Sequence, residues 1–396
     1  MNPVELAARA ERSDGGRHAS ACVCAADTLI GSDPADPNTA VHEPATEAGR
    51  GRRWGSGSAP PRAHHLVRRT TGVMLLAAVV FLGVLVSLAV GAKSIPFGTV
   101  IDAFTGYDET ITDHLIVREL RVPRTYLGVL VGAALGAAGA LMQGVTRNPL
   151  ADPGLLGVNA GAAFAVVLGI WWLDTTSVNG IVWFAFAGAA IASVVVYVLG
   201  TIGRGGATPV RLALAGAALA AFLFAGTRAV ILIDQATLDQ FRFWVVGSLA
   251  GRGDDVAFQV LPFIAVGLVL SIAVARQLNA IALGEDAARA LGTKVGLTRL
   301  MSVLAITLLC GGAVAVAGPI AFVGLVVPHA ARAWFGPDQR WLLPASAMAG
   351  AAGLLFCDTA GRIVARPGEI QVGIMTAAIG GPAFIILVRR TRMAQL

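Results

Sequence analysis

The sequence predicts an all-α polytopic membrane protein with about ten transmembrane helices. Long apolar runs recur along most of the chain, and only short polar segments separate them. Charged residues make up 14% of the sequence, whereas a soluble domain carries about a quarter. Glycine occurs 48 times, and small residues let helices pack closely inside a bilayer.

The 396-residue chain divides into two regions by composition. Residues 1–70 are polar, are rich in Pro, Gly, Ser, Asp and Arg, and show no apolar periodicity. We therefore predict a disordered cytoplasmic N-terminal extension there. A mis-assigned start codon is an alternative explanation of this segment. Residues 71–396 are predicted to form the ten-helix transmembrane domain.

The predicted spans follow the apolar runs, each close to the length that a helix needs to cross a bilayer. They run near 72–92, 126–145, 156–174, 181–200, 212–233, 256–275, 300–317, 319–334, 341–361 and 372–390. The eighth is short and interrupted by Pro328, and the last two contain internal Gly and Pro. Such breaks are tolerated where other helices surround the backbone.

The formal net charge of +6 comes mostly from arginines at the ends of apolar runs. This pattern is typical of membrane orientation and argues against a nucleic-acid partner. Arg68 and Arg69 precede the first run and place the N-terminus in the cytoplasm. An even number of spans returns the C-terminus there, near Arg389 and Arg392. We expect a multi-pass protein of the cytoplasmic membrane.

No motif in the sequence predicts covalent chemistry. Neither lysine stands in a Gly-Lys-Ser/Thr nucleotide-binding loop, since Lys93 follows Ala and Lys294 follows Thr. The chain contains no HExxH, GxSxG or CxxC pattern, and His329 is isolated in the sequence. We therefore expect no catalytic residue, no metal site and no cofactor in this chain.

Residues 118–162 hold the most informative stretch. It begins with a basic lip, Arg118, Arg121 and Arg124, and continues as an uncharged run to Thr146. Small residues recur every fourth position on this run, which favours close contact with a neighbouring helix: Gly128, Gly132 and Gly136. A turn-rich loop with two prolines follows at 147–154.

This stretch resembles the iron-siderophore and vitamin B12 (FecCD-type) permease family of ABC importers. The shared motifs are Arg121-Val-Pro-Arg124, Gly132-Ala-Ala, Gln143 and Arg147-Asn-Pro-Leu-Ala-Asp-Pro-Gly-Leu-Leu-Gly157. A second matching run, 318–332, ends in Val-Val-Pro-His-Ala-Ala-Arg, and the resemblance continues to about Arg390. At 338–340 this chain has Asp-Gln-Arg where the family has Asp-His-Arg.

The resemblance implies a type II ABC importer permease fold that moves a ferric siderophore by alternating access. It implies a second permease subunit, identical or paralogous, two ABC ATPase subunits that use ATP and Mg, and an extracytoplasmic substrate-binding protein. Import of cobalamin or haem by the same machinery is an alternative. An ion-coupled secondary transporter is another, although that mechanism expects acidic or His residues at mid-membrane. A structural subunit without transport would leave the basic lip unexplained.

The loop 279–299 predicts a short helix on the cytoplasmic side. Two acids suit its positive N-terminal end, and a glycine suits the position after its last turn. It is similar to the coupling helices of the family, which dock in a groove of the ATPase. The residues assigned to this contact are Gly284, Glu285, Asp286, Ala287, Ala290, Leu291 and Gly292. A surface loop with good capping is the alternative.

Two further sites follow from the resemblance. Arg121, Arg124 and Arg362 match the basic pockets on the outer face that receive acidic residues of the binding protein; anchoring to phosphate headgroups is the alternative. Thr208 and Pro209 match the turn that narrows the pathway at its cytoplasmic end. Because Pro restricts the residue before it, the fifth helix should begin at or after Pro209. The alternative is an ordinary loop.

Overall fold

The computed structural model describes residues 62–175, 177–202 and 208–393, which form fourteen α-helices and no β-strand. The predicted first span belongs to α1, which begins ahead of position 72. The first seven helices are α1 (Arg62–Ala89), α2 (Phe97–Thr105), α3 (Thr112–Leu115), α4 (Val122–Thr146), α5 (Val158–Leu173), α6 (Val178–Thr201) and α7 (Pro209–Ile233). A π-helical turn, Ile116–Arg121, joins α3 to α4, and a 3-10 turn, Pro153–Leu156, precedes α5.

The second half of the chain contains seven more helices. They are α8 (Gln235–Val245), α9 (Asp254–Ala282), α10 (Glu285–Ala290), α11 (Val295–Ala317), α12 (Val323–Phe335), α13 (Gln339–Val364) and α14 (Val372–Met393). Each of the ten predicted spans overlaps one of these helices. Of the predicted disordered extension, residues 1–61 lie outside the described residues.

Seven of the described helices are long and apolar enough to cross a membrane. Helix α5 and the apolar part of α14, Val372–Leu387, are shorter. Helix α12 has only 13 residues, and the five residues before it, 318–322, are not helical. Gly318 and Phe322 both have positive φ, 74° and 69°, and so break the run predicted for 319–334.

Helices α4 and α11 form the centre of the bundle. In an 18-residue apolar segment of each helix, 78% of the residues are buried within the chain. Helix α4 packs along α13, and its predicted small-residue stripe makes this contact. A Cβ atom at Gly132 would lie 2.5 Å from the carbonyl oxygen of Gly350, and one at Gly136 would overlap that of Ser346. The stripe therefore brings two backbones together, as the sequence predicted.

Helices α1 and α7 lie at the edge of the bundle. In their 18-residue apolar segments only 11% and 17% of the residues, respectively, are buried within the chain. Helix α7 exposes large apolar side chains along its length, including Leu214, Phe222 and Leu232. In water this surface would be unstable, so lipid or another apolar chain covers it.

Candidate functional site

Helix α10 is a compact connector between α9 and α11. Gly284 precedes it with φ of 112°, and Gly292 follows it with φ of 80°, as predicted for a glycine that ends a helix. Ala288 is fully buried and packs with Ile281 and Val295. The helix is therefore anchored by one face, and its orientation is set by the ends of the two spans.

Glu285 ties this helix to its surroundings. Its carboxylate accepts a short hydrogen bond from Arg299, pairs with Arg289 at 3.0 Å and lies 3.4 Å from Arg147 at the end of α4. The hydrogen bond from the buried Arg299 is the largest cause that holds the pKa of Glu285 below its usual range. Asp286 points to solvent and, among the described residues, forms an ion pair only with Arg289, at 2.9 Å.

The exposed side of α10 carries small residues beside two charged ones, Asp286 and Arg289. Ala287 and Ala290 are exposed, and Leu283 and Leu291 at its two ends are 71% and 67% exposed. Exposed leucines beside small residues form a surface into which a partner can fit closely. All seven residues assigned to the coupling contact lie on α10 or at its ends, with Glu285 on the anchored side and Asp286 exposed.

The residues assigned to the gate begin α7. Pro209 is its first residue, so the predicted start of this helix is confirmed. Thr208 has extended backbone and caps the helix, since its Oγ1 accepts from the backbone N–H of Arg211 at 3.4 Å. Residues 203–207 of the same turn lie outside the described part of the chain.

The outer arginines bind the end of α1. The Arg121 guanidinium is only 5% exposed and donates to the carbonyl oxygens of Leu88, at 2.7 Å, and Lys93. Arg366 donates to the carbonyl oxygen of Gly91 at 2.7 Å. These carbonyls lie at and just beyond the C-terminus of α1, where they lack helical partners. Cationic donors therefore cap the C-terminus of α1, which is the negative end of its helix dipole.

Arg362 and Arg124 share one buried carboxylate. Asp358 is 1% exposed and pairs with Arg124 at 2.7 Å and with Arg362 at 3.0 Å. Arg362 also donates to the carbonyl and hydroxyl oxygens of Ser87. Arg124 also pairs with the partly exposed Glu369 at 2.6 Å.

The three arginines assigned to docking thus lie in one region, but two of them are enclosed. An external carboxylate would reach the Arg124–Glu369 pair directly. It would reach Arg121 or Arg362 only if their internal hydrogen bonds opened. The sequence missed these internal partners because they come from distant segments. Their one local signal was the i, i+4 spacing of Asp358 and Arg362.

Within the described residues, no three His, Cys, Asp or Glu side chains are grouped so that they could hold a metal ion. His329 is hydrogen-bonded to the backbone of Pro149.

Comparison with known proteins identifies the family of this chain. Residues 78–390 match the FecCD transport family. The chain is 47% identical over 324 residues to the ferric enterobactin transport system permease protein FepD of Escherichia coli strain K12, covering 82% of this chain and 96% of FepD. It is 42% identical over 304 residues to the probable siderophore transport system permease protein YfiZ of Bacillus subtilis strain 168, covering 77% and 91%.

A solved structure shows the same arrangement of helices. It is an inward-facing conformation of a metal-chelate type ABC transporter, with 26% identity and a TM-score of 0.71. The match covers 81% of this chain and 99% of the solved chain.

Proposed function

This chain belongs to the FecCD transport family, and from that premise we propose that it is the permease subunit of an ATP-binding-cassette importer for a ferric siderophore. The observation that carries the proposal is its 47% identity with a ferric enterobactin permease over 96% of that protein. Such a permease performs no covalent chemistry. It offers the ligand a path and converts partner movements into opening and closing of that path.

Helix α10 is the proposed contact with the ATPase. The exposed face around Ala287 and Ala290, which also carries Asp286 and Arg289, would enter a groove of that subunit, and the apolar side chains of Leu283 and Leu291 would be covered. Because Glu285 links α10 to Arg299 of α11 and Arg147 of α4, a push on α10 is transmitted to two central helices. ATP and Mg would be bound by the separate ATPase chains.

The other partners occupy other surfaces. An extracytoplasmic binding protein would dock at the outer region that holds Arg121, Arg124 and Arg362, with the Arg124–Glu369 pair the accessible part. A second permease subunit would cover the exposed apolar face of α7, and Thr208 and Pro209 at its cytoplasmic end would line the gate. In this orientation both termini face the cytoplasm, because Arg68, Arg69 and other loop arginines lie on that side.

The coupling contact can be tested by one substitution with a matched control. Ala287→Trp adds a large side chain on the exposed face, which would clash with the ATPase groove. We expect the variant to fold and to lose co-purification with the ATPase, or to lose transport while ATP hydrolysis continues. Ala287→Ser keeps the size of the residue and should assemble normally. Normal assembly and normal transport with Trp would contradict the placement of the ATPase on α10.

A further inference from the structure

A polar cavity of about 490 Å³ opens beside α10, at the ends of α4, α9 and α12. Its wall carries two cations, Arg147 and Arg332, and two side chains with an unpaired polar atom, His329 and Gln339. On the proposed orientation it faces the cytoplasm. The coupling contact uses the outer surface of α10 and leaves this cavity without a role.

The two cations are held in place but are poorly neutralised. The Arg332 guanidinium donates to Oε1 of Gln143 at 3.1 Å, and Gln143 is fixed in turn by its bond to the carbonyl oxygen of Leu325. In the part of the chain that the structure describes, no carboxylate lies within 4 Å of Arg332. Arg147 meets only Glu285, at 3.4 Å, and that carboxylate already pairs more closely with Arg299.

Two unmet hydrogen-bond acceptors belong to side chains of the wall, and both atoms are buried. Gln339 is 6% exposed and its buried Oε1 has no partner. One nitrogen of His329 bonds the backbone of Pro149, and Nδ1 is buried without a partner. The amide of Asn279 already donates to Asp338 and accepts from the backbone N–H of Gln339. A buried acceptor without a donor is costly, so a bound hydroxyl group would be stabilised here.

We propose that this cavity binds a phosphate ester that carries a free hydroxyl group. The phosphate would lie between Arg147 and Arg332, because charge-assisted bonds from guanidinium groups to phosphate are strong and directional. The hydroxyl would donate to Nδ1 of His329 or Oε1 of Gln339 after a side-chain rotation that turns the buried acceptor toward the cavity. A glycerol phosphate unit has this chemistry, and it occurs both in anionic lipid headgroups and in free solutes. Basic pockets between spans on the cytoplasmic side suit such headgroups.

Occupancy of the cavity would reach the coupling helix through Arg147. A phosphate that engages Arg147 competes with its long contact to Glu285, while Glu285 retains Arg299 and Arg289. The ligand would therefore loosen the tie between α4 and α10. This effect on coupling depends on the proposed function, whereas binding itself does not.

Binding is measured on the purified full chain, stripped of lipid in an uncharged detergent, by native mass spectrometry. The probes are phosphatidylglycerol, phosphatidylcholine and sn-glycerol 1-phosphate. We expect phosphatidylglycerol or glycerol phosphate to bind, and Arg147→Gln and Arg332→Gln each to weaken binding about tenfold or more. Ala282→Phe adds a large side chain to the cavity wall without changing charge and should also reduce binding. Arg276→Gln removes an exposed charge that lines a different cavity and is the matched control.

The outcomes separate the sources of the ligand. Displacement of the lipid by glycerol phosphate supports a soluble phosphate ester, and retention of the lipid alone supports a headgroup. Absence of binding by both probes, or an equal loss in Arg276→Gln, overturns the proposal. If both probes fail and Arg332→Glu disrupts assembly with the ATPase, the cavity receives a protein carboxylate instead. None of these measurements requires transport, so failure of the importer assignment would not be mistaken for failure of the site.

Discussion

Replacement of Asp358 tests whether the outer arginines are structural. This carboxylate is 1% exposed and lies between Arg124 and Arg362, whose side chains are 11% and 5% exposed. Asp358→Asn keeps the shape but removes the charge, so two enclosed guanidinium groups lose their shared counter-ion. Removal of one member of a buried pair costs about 3–5 kcal/mol. Arg124 retains Glu369, so we expect a loss near the lower end of that range.

The assay is reversible unfolding of the purified chain in detergent by added SDS, followed by far-UV circular dichroism. Asp286→Asn is the matched control, because Asp286 is fully exposed and, among the described residues, forms an ion pair only with Arg289; it should leave the unfolding curve unchanged. A free energy of unfolding for Asp358→Asn equal to that of the native chain would refute the structural role. If that variant also bound the binding protein more strongly, we would conclude that these arginines are free to pair with carboxylates of the binding protein.

Three further predictions address packing, pH and the gate. Gly132→Ala places a methyl group against the backbone of α13 and should destabilise the chain by about 1–3 kcal/mol, whereas Gly353→Ala, where nothing lies within 4 Å, should be neutral in the same SDS titration. Because the pKa of Glu285 is lowered, its bond to Arg299 contributes stability above about pH 4.3. This stability is lost as the pH falls through the folded-state pKa of Glu285. Amide hydrogen exchange of α10 should therefore become faster at that low pH in the native chain, and in Glu285→Gln it should be fast at every pH. Cysteine at Thr208, paired with cysteine at the matching position of the second permease, should cross-link in a yield that changes with nucleotide state; no cross-linking in any state, even with a flexible reagent, would remove Thr208 from the gate.

The sequence predicted the spans well because apolar length is a local property. It overextended the helix at 319–334, since 318–322 is as apolar as a helix but contains two positive-φ residues. It also missed α2 and α8, which are too short to register as spans. Helix α2 nevertheless carries a short amphipathic pattern, with Val100 and Ala103 buried.

The candidate sites were predictable only where their contacts join residues that are close in the sequence. The glycines and acids of α10 could be read from spacing, because helix caps depend on neighbouring residues. The Glu285–Arg299 and Arg124–Asp358 pairs could not, because tertiary packing brings their segments together. Outward arginines looked like free cations in the sequence, whereas Arg121 and Arg366 satisfy carbonyls at the end of α1. A charge pattern alone does not distinguish a docking residue from a helix cap.

Transport itself is the most direct test of the central claim. The chain would be reconstituted in proteoliposomes with its partner permease, the ATPase and the binding protein, and accumulation of radiolabelled ferric enterobactin would be measured, with labelled cobalamin and haem as competing substrates. The proposed function predicts accumulation of the ferric siderophore that requires hydrolysable ATP and persists when ionophores collapse ion gradients. Uptake driven by an ion gradient without ATP, or uptake of cobalamin or haem in place of the ferric siderophore, would contradict it.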